Sequence, residues 1–509
     1  MLERFPRKLV MSIVRKKIAR DTIQMFLASG FSGGLGVLRS FYIARFLTPA
    51  EFGIWSLMSS VLNYANYADL GVNNGLLVEA GRLSGGSQKS RVEEILRQGY
   101  TAILLLAGLV AVVVLLLSFL PGAILDRELQ WSLRLVAAGM IIMGVANYYQ
   151  VVARLRHYFG VISCSVVITA TVALAGTWAV GTLFAQDRVT ALMGASILGT
   201  LCAVALLAVA ARARPAWPIQ RDQAVRLMKL GIPITMVPIL FTIFQSIDRW
   251  VVAGVVSRQE LGYYGFGAAM GLFLNMIPNT LAVVLFSRQI ERFGATGDPL
   301  AAESLVIPPL FVTAYIMALV GGAVILSIPM LTSYIVPSYT SANEVASIQV
   351  VGNCLLGVVP LASNFLISIQ RQTRTLLCLV AATILEVVLV YGFARMYGIT
   401  GAAVAVAISD LVYALALAYF ALGLFRPSLR LCAKMMAGVF GPFLLCFALA
   451  LSLRGMTGGT GVQFWTEAAA WLQVMLLYLA IALPGCAVFG LLSGVFTRYL
   501  PSRFTGAER

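Results

Sequence analysis

The feature that most constrains this chain is a succession of fourteen apolar stretches joined by short polar connections. A helix needs about 20 mostly apolar residues to cross a bilayer, and each stretch approaches that length. The third is the plainest, with no charged side chain from Gly99 to Leu125. Overall, 60% of the 509 residues are hydrophobic and 11% are charged, and the mean hydropathy is +0.89. Soluble domains carry about 25% charged residues, so this chain requires lipid as its solvent. The longest connection, 212–229, is too short to form a domain of its own. These observations predict an all-α polytopic membrane protein with about 14 transmembrane helices.

The net charge of +16 does not indicate nucleic-acid binding. A nucleic-acid site needs basic residues gathered on one soluble face, whereas here they sit in short clusters between apolar runs. With the N-terminus inside, 28 of the 37 Lys and Arg residues fall on cytoplasmic connections or termini. That is the positive-inside pattern, and it places both termini in the cytoplasm. Residues 1–21 have Phe5, Leu9, Ile13 and Ile18 on one side, with Arg7, Lys8, Arg15, Lys16, Lys17 and Arg20 dominating the rest, and no cleavable leader pattern. They read as an amphipathic segment resting on anionic membrane lipids. The seven cysteines show no metal-ligand spacing and His157 is the single histidine. No metal site and no bound cofactor are expected.

A weak internal repeat fits this topology. Shifting by 209 residues brings Glu51-Phe52-Gly53 onto Glu260-Leu261-Gly262, Ala44 onto Ala253 and Trp55 onto Tyr264. At a shift of 217, Asn147 and Arg154 fall on Asn364 and Arg371. Two like-oriented six-helix repeats around an axis along the membrane normal form a transporter architecture, with the substrate path between them. The expected organisation is an amphipathic segment 1–21, an N-lobe 22–211, a cytoplasmic linker 212–229 and a C-lobe 230–425. Two extra helices and a cytoplasmic tail occupy 426–509.

Arg39, Asp69, Asp248, Arg249, Glu386 and Asp410 lie inside these stretches. Each costs about 2.5–3.5 kcal/mol if it faces lipid, so each must face a cavity or a partner. Arg39 and Asp248 occupy equivalent repeat positions and are expected to face each other and close the outer side. The alternative gives them local partners, with Arg39 bonded to carbonyls near Gly33, Gly34 and Gly36. Glu386 and Asp410 form either a site for a coupling H⁺ or Na⁺ or a packed carboxyl pair. Asn63, Asn66, Asp69, Asn73 and Asn74 on the second stretch, and Asn275 and Asn279 on the eighth, suit sugar hydroxyls or water. Interhelical hydrogen bonds are the other use for such amides. Pro233, Pro238, Pro278 and Pro360 are expected to kink their spans.

Arg39-Ser-Phe-Tyr-Ile-Ala-Arg45, Pro49-Ala-Glu-Phe-Gly53 and Asp69-Leu-Gly71 resemble the opening of polysaccharide-repeat-unit (O-antigen type) flippases. These belong to the multidrug/oligosaccharidyl-lipid/polysaccharide exporter superfamily. Ile247-Asp-Arg-Trp250, Leu261-Gly-Tyr-Tyr264 and Gly398-Ile-Thr-Gly-Ala402 extend the likeness over residues 20–425. The resemblance implies an undecaprenyl-diphosphate-linked oligosaccharide, loaded inside and released outside by alternating access in a bacterial cytoplasmic membrane. It also implies a polysaccharide polymerase and glycosyltransferases as partners. Arg39 and Arg45 match paired arginines of the related lipid II flippases, and Arg249 is expected to serve the diphosphate likewise. Fourteen spans resemble the lipid II branch, which keeps a lipid II flippase as an alternative. A multidrug cation exporter favours acids in its first span, and none lies between Asp21 and Glu51. Membrane polymerases and ligases carry a large outer loop, which this chain lacks, so no enzymatic activity is expected.

Overall fold

The computed structural model describes residues 7–84, 89–121, 127–184, 186–211, 221–425, 429–456 and 464–493. Residues 1–6 of the amphipathic segment, 212–220 of the linker and 494–509 of the tail lie outside that set. Every regular element among the described residues is helical. Contacts divide the chain into two units: Met1–Phe46 with Leu57–Thr242, and Leu47–Ser56 with Ile243–Arg509. These differ from lobes drawn by hydropathy, because the first residues of the second stretch pack with the C-terminal half. Residues 221–229 of the expected linker and 230–242 of the expected C-lobe pack with the N-terminal half.

Unit 1 contains α1 (Arg7–Phe46), the second half of α2 (Pro49–Tyr64), α3 (Val72–Ser84) and α4 (Lys89–Leu117). It continues with α5 (Arg127–Leu155), α6 (Phe159–Leu183), α7 (Arg188–Ala211) and α8 (Arg221–Phe244) up to Thr242. Helix α6 packs on α1 and α7, and α5 packs on α4 and α7. Leu76, Ile103, Tyr148, Val152 and Leu207 are fully buried at its centre. The opposite side of α4 carries Leu105, Leu109, Val112 and Leu116, between 51% and 65% exposed. An apolar stripe at i, i+4, i+7 and i+11 that faces outwards is a surface for lipid, since soluble proteins rarely show such continuous patches.

Unit 2 contains α9 (Ile247–Ala253), α10 (Arg258–Leu274), α11 (Met276–Thr296), α12 (Ile307–Tyr334) and α13 (Asn343–Leu356). Then come α14 (Val359–Ser368), α15 (Gln372–Gly423), α16 (Leu429–Leu453) and α17 (Phe464–Leu492). Helix α13 packs between α10 and α15, while α16 and α17 pack on α12. Eleven helical stretches among the described residues are long and apolar enough to cross a membrane. Helix α15 is one of these, yet it spans two expected stretches, because Gly398 breaks it at φ 63° and ψ −149°. Helices α1, α2 and α3 occupy the first two expected stretches and are not among the eleven; α2 and α3 are only 16 and 13 residues long.

The repeat is visible in local geometry. Thr48 and Glu51 form a reciprocal cap at the start of α2: the Thr48 N–H donates to Glu51 Oε2 at 2.8 Å, and the Glu51 N–H donates to Thr48 Oγ1 at 3.3 Å. At α10, 209 residues on, Ser257 N–H donates to Glu260 Oε2 at 2.9 Å and Glu260 N–H donates to Ser257 Oγ at 3.3 Å. Each box satisfies two backbone donors that a helix start leaves unpaired. The two starts cross within unit 2, backbone to backbone. A Cβ at Gly53 would stand 2.8 Å from the Arg258 carbonyl oxygen, and one at Gly262 would fall on the Pro49 carbonyl.

The prolines divide into two kinds. Pro233 and Pro238 lie inside α8 as expected. Pro278 and Pro360 instead sit in the first turns of α11 and α14, where the missing N–H has no intrahelical acceptor in any case.

Candidate functional site

In unit 1 the second stretch is broken in mid-course. Helix α2 stops at Tyr64, a 3₁₀ turn covers Ala65–Tyr67, and α3 starts at Val72. Between them Leu70 and Gly71 have φ of 47° and 86°. Asn and Asp side chains compete with the helical backbone for hydrogen bonds, and this segment concentrates both. Asp69 Oδ2 accepts from the Asn73 N–H at 2.7 Å, so the carboxylate that ends one helix caps the next. Gly71 is required twice over. Its φ is positive, and an added Cβ would lie 2.8 Å from Thr235 Oγ1 and from the Gly231 carbonyl carbon of α8.

The break opens a cavity of about 120 Å³ within unit 1. From α2–α3 it is lined by Asn66, Asp69 and Asn73, and from α5 by Asn147, Gln150 and Arg154. Several of these amides already have partners. Asn74 Nδ2 donates to Thr235 Oγ1 at 2.9 Å, Asn147 Nδ2 donates to the Asn66 carbonyl at 3.2 Å, and Asn66 Nδ2 donates to the Asn63 carbonyl at 3.1 Å. Asn73 is buried, and its side-chain amide stands beside the Asp69 carboxyl.

A second cavity lies in unit 2, where the seventh stretch breaks. Helix α8 ends at Phe244, Ser246 leaves helical geometry at φ −140°, and α9 begins at Ile247. The break puts Asp248 in the first turn of α9, where the helix dipole favours negative charge. Asp248 Oδ2 accepts from the Tyr264 hydroxyl at 2.8 Å, and its Oδ1 is 3.7 Å from Arg249 Nε. Arg249 Nη2 donates to the Gln245 carbonyl at 2.7 Å. Asp248, Gln349, Glu386 and Asp410 line a cavity of about 20 Å³, just over the space that one water needs. Asp248 Oδ1, Glu386 Oε2 and Asp410 Oδ2 are buried there without hydrogen-bond partners. Among the described residues no three Asp, Glu, His or Cys side chains converge closely enough to hold a metal ion.

The other expected site residues are dispersed. Arg39 is partly buried on α1; its Nε donates to Thr177 Oγ1 at 2.8 Å and its Nη2 to Ser196 Oγ at 2.6 Å. Arg39 and Asp248 thus each have partners inside their own unit. Arg45 is exposed in the last turn of α1, and Asn63 and Asn279 are exposed. Asn275 makes the interhelical kind of bond, its Nδ2 donating to Asn353 Oδ1 at 3.0 Å. Sequence reasoning paired Glu386 with Asp410, and the structure adds Asp248 to their cavity. Gln150, Thr235, Gln349 and Asn353 were not singled out, since isolated polar residues carry no periodic signal. Asn147 and Arg154 had a usable one, their repeat match to Asn364 and Arg371. Asn364 Nδ2 donates to the Ala282 carbonyl at 3.3 Å, much as Asn147 does to Asn66.

Residues 42–289, just under half of the chain, match the family model described as polysaccharide biosynthesis protein. Among solved structures, the chain is similar to the lipid II flippase MurJ in an inward closed conformation. The identity is 14% and the TM-score 0.68, covering 94% of this chain and 99% of that one. An inward-facing multidrug resistance MATE family transporter of the MOP superfamily aligns at 13% identity and TM-score 0.65, covering 80% and 99%. An outward-facing MATE transporter aligns at 14% and 0.59, covering 81% and 97%. A search among curated proteins returns no match. The resemblance read from the sequence is borne out, and so is the fold class: a multi-pass, all-helical membrane protein with the fold of flippases and transporters. The relatives found are not enzymes.

Proposed function

We propose that this chain carries an undecaprenyl-diphosphate-linked oligosaccharide from the cytoplasmic to the outer leaflet of a bacterial inner membrane by alternating access. The product feeds the synthesis of a surface polysaccharide such as O-antigen. Glycosyltransferases complete the lipid-linked unit before transport, and a polymerase consumes it afterwards. Both termini are cytoplasmic, with the basic N-terminal segment on anionic lipid.

The observation that carries this reading is polar machinery at two helix breaks inside helices built for lipid. Broken helices with polar backbone and side chains at membrane depth mark binding sites in transporters. The amide-lined cavity of unit 1 suits a hydroxyl-rich head group. Arg39, Arg45 and Arg249 are the guanidinium groups assigned to the diphosphate. The acidic cavity of unit 2 suits a coupling ion, with Glu386 and Asp410 as the pair that would take H⁺ or Na⁺.

Lipid analysis after depletion tests the reading. Loss of the protein should strand a complete lipid-linked oligosaccharide on the cytoplasmic leaflet. An unchanged lipid pool together with altered drug tolerance would instead identify a drug exporter. A second reading, transport of lipid II, is favoured by one observation: the likeness to the lipid II flippase covers 94% of this chain, against 80% for the MATE transporter. Stranded lipid II in depleted cells would select it.

A further inference from the structure

A cleft of about 450 Å³ opens in unit 2 beside the Gly398 break of α15, and it shares no lining residue with the acidic cavity. One wall is the turn from Gly254 to Ser257, with Glu260 in the first turn of α10. The other wall is Ala394, Arg395 and Gly398. Gly398 has φ 63° and ψ −149°, backbone that essentially only glycine adopts. An added Cβ there would meet nothing within 4 Å. The chain is therefore turned at Gly398 without the space beside it being filled. Glu260 is held at the rim by its cap, one carboxylate oxygen accepting from the Ser257 N–H and Oγ–H at 2.9 and 2.7 Å. Arg395 is exposed and lies 4.5 Å from the centre of the Tyr391 ring, an aromatic face that limits where the guanidinium can swing. Among the described residues no ion pair joins Arg395 to Glu260, although both line the cleft.

The surroundings select the depth and the charges select the occupant. Trp250 on α9 and Tyr391 and Tyr397 on α15 are exposed around the cleft, and such side chains collect at the level of lipid headgroups. The occupant must offer negative charge to Arg395 and positive charge to Glu260 within one small group. A lipid diphosphate or a glycerol phospholipid carries negative charge alone, which Glu260 opposes. A metal cation would be opposed by Arg395. A phosphodiester with a primary ammonium two carbons away satisfies both. We propose that this cleft holds the headgroup of an ethanolamine phospholipid, its phosphate on the Arg395 fork and its ammonium on the Glu260 carboxylate. The inference stands on the membrane fold and does not need the flippase reading; the proposed topology puts the lipid in the outer leaflet.

The test places the full chain in nanodiscs with equal amounts of phosphatidylethanolamine and phosphatidylglycerol, and native mass spectrometry then weighs the lipid that stays bound. The wild type should retain the ethanolamine lipid about fivefold over the glycerol lipid, the worth of one partly exposed ion pair. Glu260→Gln keeps the capping box, because glutamine serves at that position too, so the fold is preserved while the charge is lost. That variant should lose the preference for ethanolamine and turn towards the glycerol lipid, since Arg395 is then unopposed. Arg395→Gln should lose retention of both. Glu51→Gln makes the same change in the equivalent cap of α2, off the cleft, and should behave as the wild type. The inference is overturned if the wild type retains no lipid or both lipids equally, which would leave a cleft filled by water. It is equally overturned if Glu260→Gln keeps the ethanolamine preference, if Arg395→Gln retains lipid as the wild type does, or if Glu51→Gln alters retention. Depletion tests the transport reading separately, and neither result changes the other.

Discussion

Replacing Gly262 by alanine should destabilise the protein, while the same change at Gly34 should not. Gly34 is exposed on α1 and an added methyl would meet nothing within 4 Å. There the substitution brings only the helix-propensity gain, up to about 1 kcal/mol. Gly262 lies in α10, so it receives a similar gain, but its methyl would fall on the Pro49 carbonyl at the start of α2. The obstacle is backbone held by the Thr48–Glu51 cap, not the end of a flexible side chain, so it cannot swing aside. Overpacking of this kind costs about 1–3 kcal/mol. The propensity gains cancel between the two variants, so their difference isolates the collision: Gly262→Ala should be less stable than Gly34→Ala by about 1–3 kcal/mol. Reversible unfolding in mixed micelles measures it. Stabilities agreeing within about 0.5 kcal/mol, the usual scatter of surface changes, would show that α2 and α10 do not approach as described.

Three further outcomes follow from named contacts. Thr48→Ala and Ser257→Ala each remove one cap at equivalent repeat positions and should each cost about 1 kcal/mol in unfolding experiments; a cost at one site only would deny the local symmetry. Asn275→Leu should destabilise by about 1–3 kcal/mol because it leaves the buried Asn353 Oδ1 without its donor; an unchanged melting curve would show that the bond adds nothing. Glu386→Gln and Asp410→Asn should abolish the dependence of transport on a Na⁺ or H⁺ gradient while the protein stays folded, and undiminished gradient-driven uptake would remove the ion site from unit 2.

Much of the fold was legible because lipid imposes a coarse rule. Every expected stretch is mainly helical over its described residues, with breaks inside the second and seventh, since length and hydropathy alone decide whether a helix can cross. The repeat was legible at Glu51-Phe52-Gly53 and Glu260-Leu261-Gly262 because a capping box and a close backbone crossing permit few alternatives. The helix breaks were less legible. The Asn-rich run of the second stretch signalled polarity, yet the turn at Leu70–Gly71 depends on where Asp69 finds a donor and on the closeness of Gly231. The grouping of Asp248 with Glu386 and Asp410 depends on α9 meeting α15, and hydropathy does not encode which helices touch. For the same reason it could not show that Asn275 is satisfied across helices, by Asn353.

The central claim is that the chain moves a lipid-linked oligosaccharide across a bilayer. It is tested most directly by reconstituting the purified protein into liposomes with lipid-linked glycans extracted from its own cells. Glycan accessibility to an external galactose oxidase or lectin is then followed over time. Glycans shielded in the inner leaflet should become accessible at a rate that rises with protein content and falls in Arg39→Ala. Shielding that persists at the rate of protein-free liposomes would contradict the account.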